Sequence, residues 1–200
     1  MSFFLLISRG IDRLNQSVGL FTTWLILATT LISAGNAIVR KAFDSSSNAL
    51  LEIQWYLFAA VFLLGAGYGL LKNSHVRIDF ISSMLTPRTR NWIDVGGILL
   101  ALFPFCFICI YLSWPLFMQA YTTGEMSSNA GGLIRWPVYA LVPAGFALLM
   151  LQGVSELIKR LDFLVGQGED VLSSEEAMSD EQKELIALEK LAQEQVQGAR

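Results

Sequence analysis

The chain has 200 residues, 54% of them hydrophobic and only 16% charged, against about 25% charged in ordinary soluble domains. A soluble globular domain is therefore excluded, and with a net charge of −3 no nucleic-acid partner is expected. The charge is unevenly spread: residues 1–160 carry eleven bases and seven acids, and residues 161–200 carry three bases and ten acids.

The first eighteen positions have a helical pattern. Phe4, Ile7, Ile11, Leu14 and Val18 recur at spacings of three and four, with Arg9, Asp12 and Arg13 off that stripe. This predicts an amphipathic helix over Ser2–Ser17, lying in the inner membrane interface and leading into the first span; a longer first span is the alternative. The start lacks a basic segment ahead of its apolar residues, and no small-residue cleavage site follows, so a cleavable signal is not expected.

Four apolar blocks follow: Val18–Val39, Leu50–Leu71, Trp92–Trp114 and Trp136–Leu157. Each is long enough to cross a bilayer, which takes about 20 residues. Hydrocarbon offers the backbone no hydrogen bonds, so each block is predicted to be a helix. The fold class is an all-α integral membrane protein, with residues 1–160 forming the membrane domain and 161–200 an acidic cytoplasmic tail. Trp55, Trp92, Trp114 and Trp136 fall near block ends, at headgroup level. Counting Lys and Arg near those ends gives eight on one side and three (Arg40, Lys41, Arg135) on the other. The basic side is the cytoplasmic one, which places both termini inside.

Within the blocks, Gly65 and Gly69 are four apart and mark a helix-packing face. Pro104, Pro115 and Pro143 predict local bends. Cys106 and Cys109 lie in mid-membrane with no second pair, too few ligands for zinc. Glu52 stands a few residues inside the second block, and an intramembrane carboxylate is costly. Snorkelling, a capping role and a functional pairing all remain open for it.

The single histidine, His75, follows the second block within Asn73-Ser-His-Val-Arg-Ile-Asp-Phe80. A catalytic base needs a second group converging on it, and a haem bundle needs axial histidines inside the spans; the sequence supplies neither. Asp79 is a candidate cap for a short interfacial helix, with Ile78, Ile81 and Leu85 facing the membrane and Pro87 at its end. In the tail, Ser179-Asp-Glu-Gln182 has the form of a capping box and predicts a solvated helix over Asp180–Val196.

Several of these stretches resemble one family. "LLEIQWYLF" early in the second block, "YGLLKNSHVRIDF" at its exit and "GE-S-N-GGLIRWP" before the fourth are similar to the small membrane subunit of TRAP (tripartite ATP-independent periplasmic) transporters, the DctQ type. The resemblance runs from about residue 15 to 160. Its positions here are Glu52, Trp55, Asn73, His75, Arg77, Asp79, Gly124, Glu125, Arg135, Trp136 and Pro137.

The resemblance implies a non-enzymatic role in the bacterial inner membrane. A large permease subunit would carry the substrate site and the sodium coupling, and a periplasmic binding protein would deliver an organic acid. This chain would be a membrane stator without a cofactor. Arg40, Lys41 and Arg135 are then candidates for docking the binding protein, or else anchors among lipid phosphates. The competing readings are a membrane anchor for an oxidoreductase and a self-sufficient small transporter.

Overall fold

The computed structural model of the chain describes residues 2–43, 47–72 and 85–166. Helix α1 runs over Ser2–Phe43 and α2 over Asn48–Leu71. Helix α3, Pro87–Gly97, passes through a π-helical turn at Ile98–Leu102 into α4, Phe103–Thr123. After the loop of residues 124–135, α5 covers Trp136–Leu164. Four helical stretches are long and apolar enough to cross a membrane. This is the all-α architecture that the hydropathy blocks dictate. The β-structure among the described residues is one isolated bridge, Met126 to Ile134.

The bundle is arranged for lipid, not water. Trp24, Phe58, Phe62 and Leu100 point outward, Leu100 with 83% of its surface exposed, while Ser8, Asn15, Thr22, Asn91 and Gln152 are buried. Lipid tails are as apolar as leucine, so turning Leu and Phe outward costs nothing. Helix association then rests on close backbone approach and on interhelical hydrogen bonds. α5 is the hub: it packs against α1, α2 and α4, and α1 packs in addition on α2.

Glycines set those approaches. A Cβ on Gly145 would stand 2.6 Å from the Leu63 carbonyl oxygen, one on Gly67 would overlap the Asn15 amide, and one on Gly19 would enter the Tyr68 ring. At Gly65, by comparison, a Cβ would meet Thr22 Oγ1 at an ordinary 3.9 Å. Gly69 is half-buried on the same helix. Among the described glycines of α2, the one with least room for a Cβ is thus Gly67, between the two glycines that the sequence singles out.

The helices overrun the apolar blocks. α1 is unbroken for 42 residues, about 63 Å at 1.5 Å per residue, twice a hydrocarbon core of roughly 30 Å. Ser2–Ser17 is therefore no separate interfacial helix but the first part of α1. Phe4, Ile7 and Leu14 face outward, whereas Ser8 and Asn15 are turned inward. Of the polar residues in that segment, Ser8, Asp12 and Asn15 are partnered by α5, while Arg9 and Arg13 stay exposed.

The third crossing extends as helix from Pro87 to Thr123. Thr86 caps it, accepting a hydrogen bond from the Thr89 amide at 3.3 Å, and Pro87 occupies the first turn, where a missing N–H costs nothing. Pro87 thus starts this helix. The π-turn lies immediately before Pro104, with the Phe103 amide reaching back to Ile98 O. A proline lacks the amide of the regular ladder and crowds the carbonyl four residues back; one wide turn accommodates both. The expected short helix around Ile78–Pro87 falls largely outside the described residues, as does the tail from residue 167 onward.

Candidate functional sites at the two ends of the bundle

At one end, the loop between α4 and α5 is folded around a single carboxylate. α4 stops at Gly124, whose φ of 62° is the left-handed conformation that favours glycine. The chain then doubles back, with the Ser127 amide donating to Leu133 O at 2.9 Å and the Arg135 amide to Glu125 O at 2.9 Å. Glu52, one turn into α2 and only 3% exposed, sits under this loop. Its carboxylate accepts hydrogen bonds from the Ser127 hydroxyl, from Asn129 Nδ2 at 2.8 Å and from the Leu133 amide at 2.7 Å. A Cβ on Gly132 would come within 2.9 Å of Glu52 Oε1, so only glycine leaves room for the carboxylate.

Further bonds tie α2 to the same loop. Asn48 Nδ2 donates to Ala130 O at 3.0 Å and the Tyr56 hydroxyl to Ile134 O at 3.2 Å. On the loop flank Arg135 Nη1 pairs with Glu125 Oε1 at 3.0 Å. The hydrogen bond between Arg135 and the Tyr139 hydroxyl, and after it the one to Glu125, raise the guanidinium pKa above its ordinary value, so Arg135 stays charged.

At the other end, α1 and α5 share a buried polar network. Asn15 Nδ2 donates to Gln152 Oε1 at 2.9 Å, and Gln152 Nε2 donates in turn to Asp12 Oδ1 at 2.9 Å. The Ser155 hydroxyl donates to Asp12 Oδ1 at 2.7 Å and lies 2.7 Å from the Ser8 hydroxyl. Lys159 Nζ bridges Asp12 Oδ2 and Glu156 Oε1, each at 2.9 Å. Arg160 pairs with Glu156 and, at 3.3 Å, with Asp94 of α3. Buried charges are tolerable only when paired and hydrogen-bonded; here three helices supply the partners.

The positions singled out in the sequence divide accordingly. Glu52, Gly124, Glu125 and Arg135 come together in or beside the α4–α5 loop. Trp136 and Pro137 open α5, Trp136 edge-on to Tyr121 with ring centres 5.7 Å apart. Trp55 lies on the exposed face of α2, and Arg40 and Lys41 are exposed in the last turn of α1. Asn73, His75, Arg77 and Asp79 lie outside the described residues. Cys106 and Cys109 are free thiols. Among the described residues no group of three or more His, Cys, Asp or Glu side chains is placed to hold a metal ion.

Sequence reasoning missed Ser127, Asn129 and the Leu133 amide as partners of Glu52, and Asp12, Asn15, Gln152 and Ser155 as a network. One signal for the second was present: Ser8, Asn15 and Thr22 fall on a seven-residue spacing, with Asn36 two such steps further on, and all four are buried. These features define a multi-pass membrane protein whose internal polar groups fasten its helices to one another.

The comparisons with known proteins give that class a family. Residues 29–163 match the family described as "Tripartite ATP-independent periplasmic transporters, DctQ component", and the chain belongs to it. This is a family of transporter components, not of enzymes. The chain is also 25% identical over 134 residues to the "C4-dicarboxylate TRAP transporter small permease protein DctQ" of Pseudomonas aeruginosa. That match takes in 66% of this chain and spans 62% of the length of the relative.

Proposed function

We propose that this chain is the small permease subunit of a TRAP-type transporter in the bacterial inner membrane, acting as a rigid stator for a large permease subunit. The observation that carries the reading is where its polar groups are used. Glu52, the carboxylate for which the sequence left a functional pairing open, is bonded to Ser127, Asn129 and Leu133. Gln152, Glu156 and Arg160 bind neighbouring helices or one another. Transport sites in secondary transporters are built on interrupted helices near the bilayer midplane. Among the described residues the irregular element within a crossing is the π-turn at Ile98–Leu102, whose own side chains are apolar, and the charged residues on the cavity beside it, Asp94 and Arg160, are paired with each other. What remains is a stiff body with broad apolar faces, suited to bracing a moving partner.

On this reading the large subunit carries the substrate and sodium sites, and both termini of the present chain face the cytoplasm. The relative is named for C4-dicarboxylates, and an organic acid is the substrate class we propose. A periplasmic binding protein would meet the outer loop. Because Arg135 is held by Glu125, free positive charge for docking falls to Arg40 and Lys41. Reversing those two should raise the binding-protein concentration needed for half-maximal uptake, more at low salt than at high, since rim charges act mainly on association rate.

The decisive experiment is uptake by cells or proteoliposomes containing both permease subunits, either one alone, or neither. The proposal expects uptake only with both. Full uptake by the large subunit alone would end the stator role, and uptake by this chain alone would make it a transporter in its own right.

A further inference from the structure

Among the described residues, Asp162 is the one carboxylate of α5 without a partner. It is 6% exposed, and its Oδ1 is buried with no hydrogen bond. The cations on its own helix are already engaged, Lys159 by Asp12 and Glu156 and Arg160 by Glu156 and Asp94. Asp162 also lies in the last turn of α5, which carries no basic residue. There the helix dipole presents its negative end, so an anion is disfavoured a second time.

Beside this carboxylate is a cavity of about 250 Å³ between the first turn of α1 and the end of α5, lined by Phe4, Leu5, Ile158, Leu161 and Asp162. Four of the five lining residues are apolar. The chemistry that fits is a cation carried on a hydrocarbon stem: the charge offsets the buried carboxylate and the stem fills the apolar walls.

The position of the site selects the source. At 1.5 Å per residue, Asp162 stands about 39 Å along α5 from Trp136. With Trp136 at one interface, that distance matches the roughly 40–45 Å between opposite headgroup layers. The carboxylate is thus level with lipid headgroups while the cavity opens among apolar side chains. We propose that the Asp162 cavity binds the primary ammonium of an aminophospholipid, phosphatidylethanolamine by chemistry, with part of the lipid body against Phe4, Leu5, Ile158 and Leu161. This site is separate from the bracing role above and stands or falls without it.

The test is lipid binding by the purified full-length chain. Detergent-solubilised protein would be titrated with phosphatidylethanolamine, phosphatidylcholine or phosphatidylglycerol of matched acyl chains, and bound lipid read by native mass spectrometry. Phosphatidylethanolamine should bind in preference to both others, because a quaternary ammonium cannot donate a hydrogen bond and a glycerol headgroup has no cation. Asp162→Asn should weaken its binding on the order of tenfold, the loss of one charge-assisted hydrogen bond. Leu5→Phe, which narrows the cavity and keeps the carboxylate, should weaken all three lipids together and serves if Asp162→Asn does not fold. Equal binding of the three lipids, or phosphatidylethanolamine binding untouched by either variant, would overturn the proposal. So would a carbodiimide cross-link joining Asp162 to a lysine of a partner protein in a complex free of that lipid.

Discussion

The α1–α5 network makes a quantitative demand on Gln152. Replacing it with leucine keeps the volume and removes two interhelical hydrogen bonds, the one from Asn15 Nδ2 and the one to Asp12 Oδ1. Such bonds in membranes are worth about 0.6 kcal/mol on average and about 1.7 kcal/mol at most, so the loss should be about 1–3 kcal/mol. The groups left behind are not stranded. Asn15 Nδ2 also donates to Ile11 O at 3.3 Å, and Asp12 retains Ser155 and Lys159. No large penalty for an unsatisfied partner is therefore added. At about 2–4 °C per kcal/mol for a chain of this size, Gln152→Leu should lower the melting temperature in detergent by roughly 2–12 °C. The assay is thermal loss of the monodisperse peak, run on Gln152→Leu, Asn15→Leu and the double variant. Because the two residues bond each other, the double variant should be more stable than the sum of the singles, by at least about 0.5 kcal/mol. Strict additivity, or a single variant as stable as the parent, would refute the network as a fastening.

Three further outcomes test the rest of the structure. Gly145→Ala should abolish or strongly reduce correctly folded protein, since its Cβ would meet Leu63 backbone at 2.6 Å, while Gly65→Ala, with 3.9 Å to spare, should express and melt like the parent; equal behaviour of the two would contradict the packing of α2. Glu52→Ala should speed amide exchange across residues 126–134 and leave that of α4 unchanged, because three of its hydrogen bonds hold the loop alone; an equally protected Leu133 amide would show that the loop folds without the carboxylate. For orientation, a cysteine at Thr123 in a chain lacking Cys106 and Cys109 should react with an impermeant thiol reagent in intact cells, and one at Thr89 should not. The reverse pattern would invert the topology.

Hydropathy alone determined the four crossings, because hydrocarbon forces every backbone group into a local ladder and the required length of apolar residues is written contiguously. The helix type at each block, and Trp136 at the start of α5, follow from that same local demand. Tertiary structure decided everything that depends on what a polar side chain faces. Glu52 left three roles open in the sequence, since its partners Ser127, Asn129 and Leu133 stand 75 to 81 positions away and no periodicity links them. The pattern of Ser2–Ser17 predicts an amphipathic helix in the membrane interface, and the same pattern serves a helix whose Ser8, Asp12 and Asn15 are covered by another helix. Asp12 and Asn15 became parts of an interhelical network only when α5 brought Gln152 and Ser155 alongside, 137 to 143 positions later. The glycine that matters most on α2 is Gly67, not Gly65, because spacing locates a face of a helix but only the position of the neighbouring backbone decides which residue on it has no room for a Cβ.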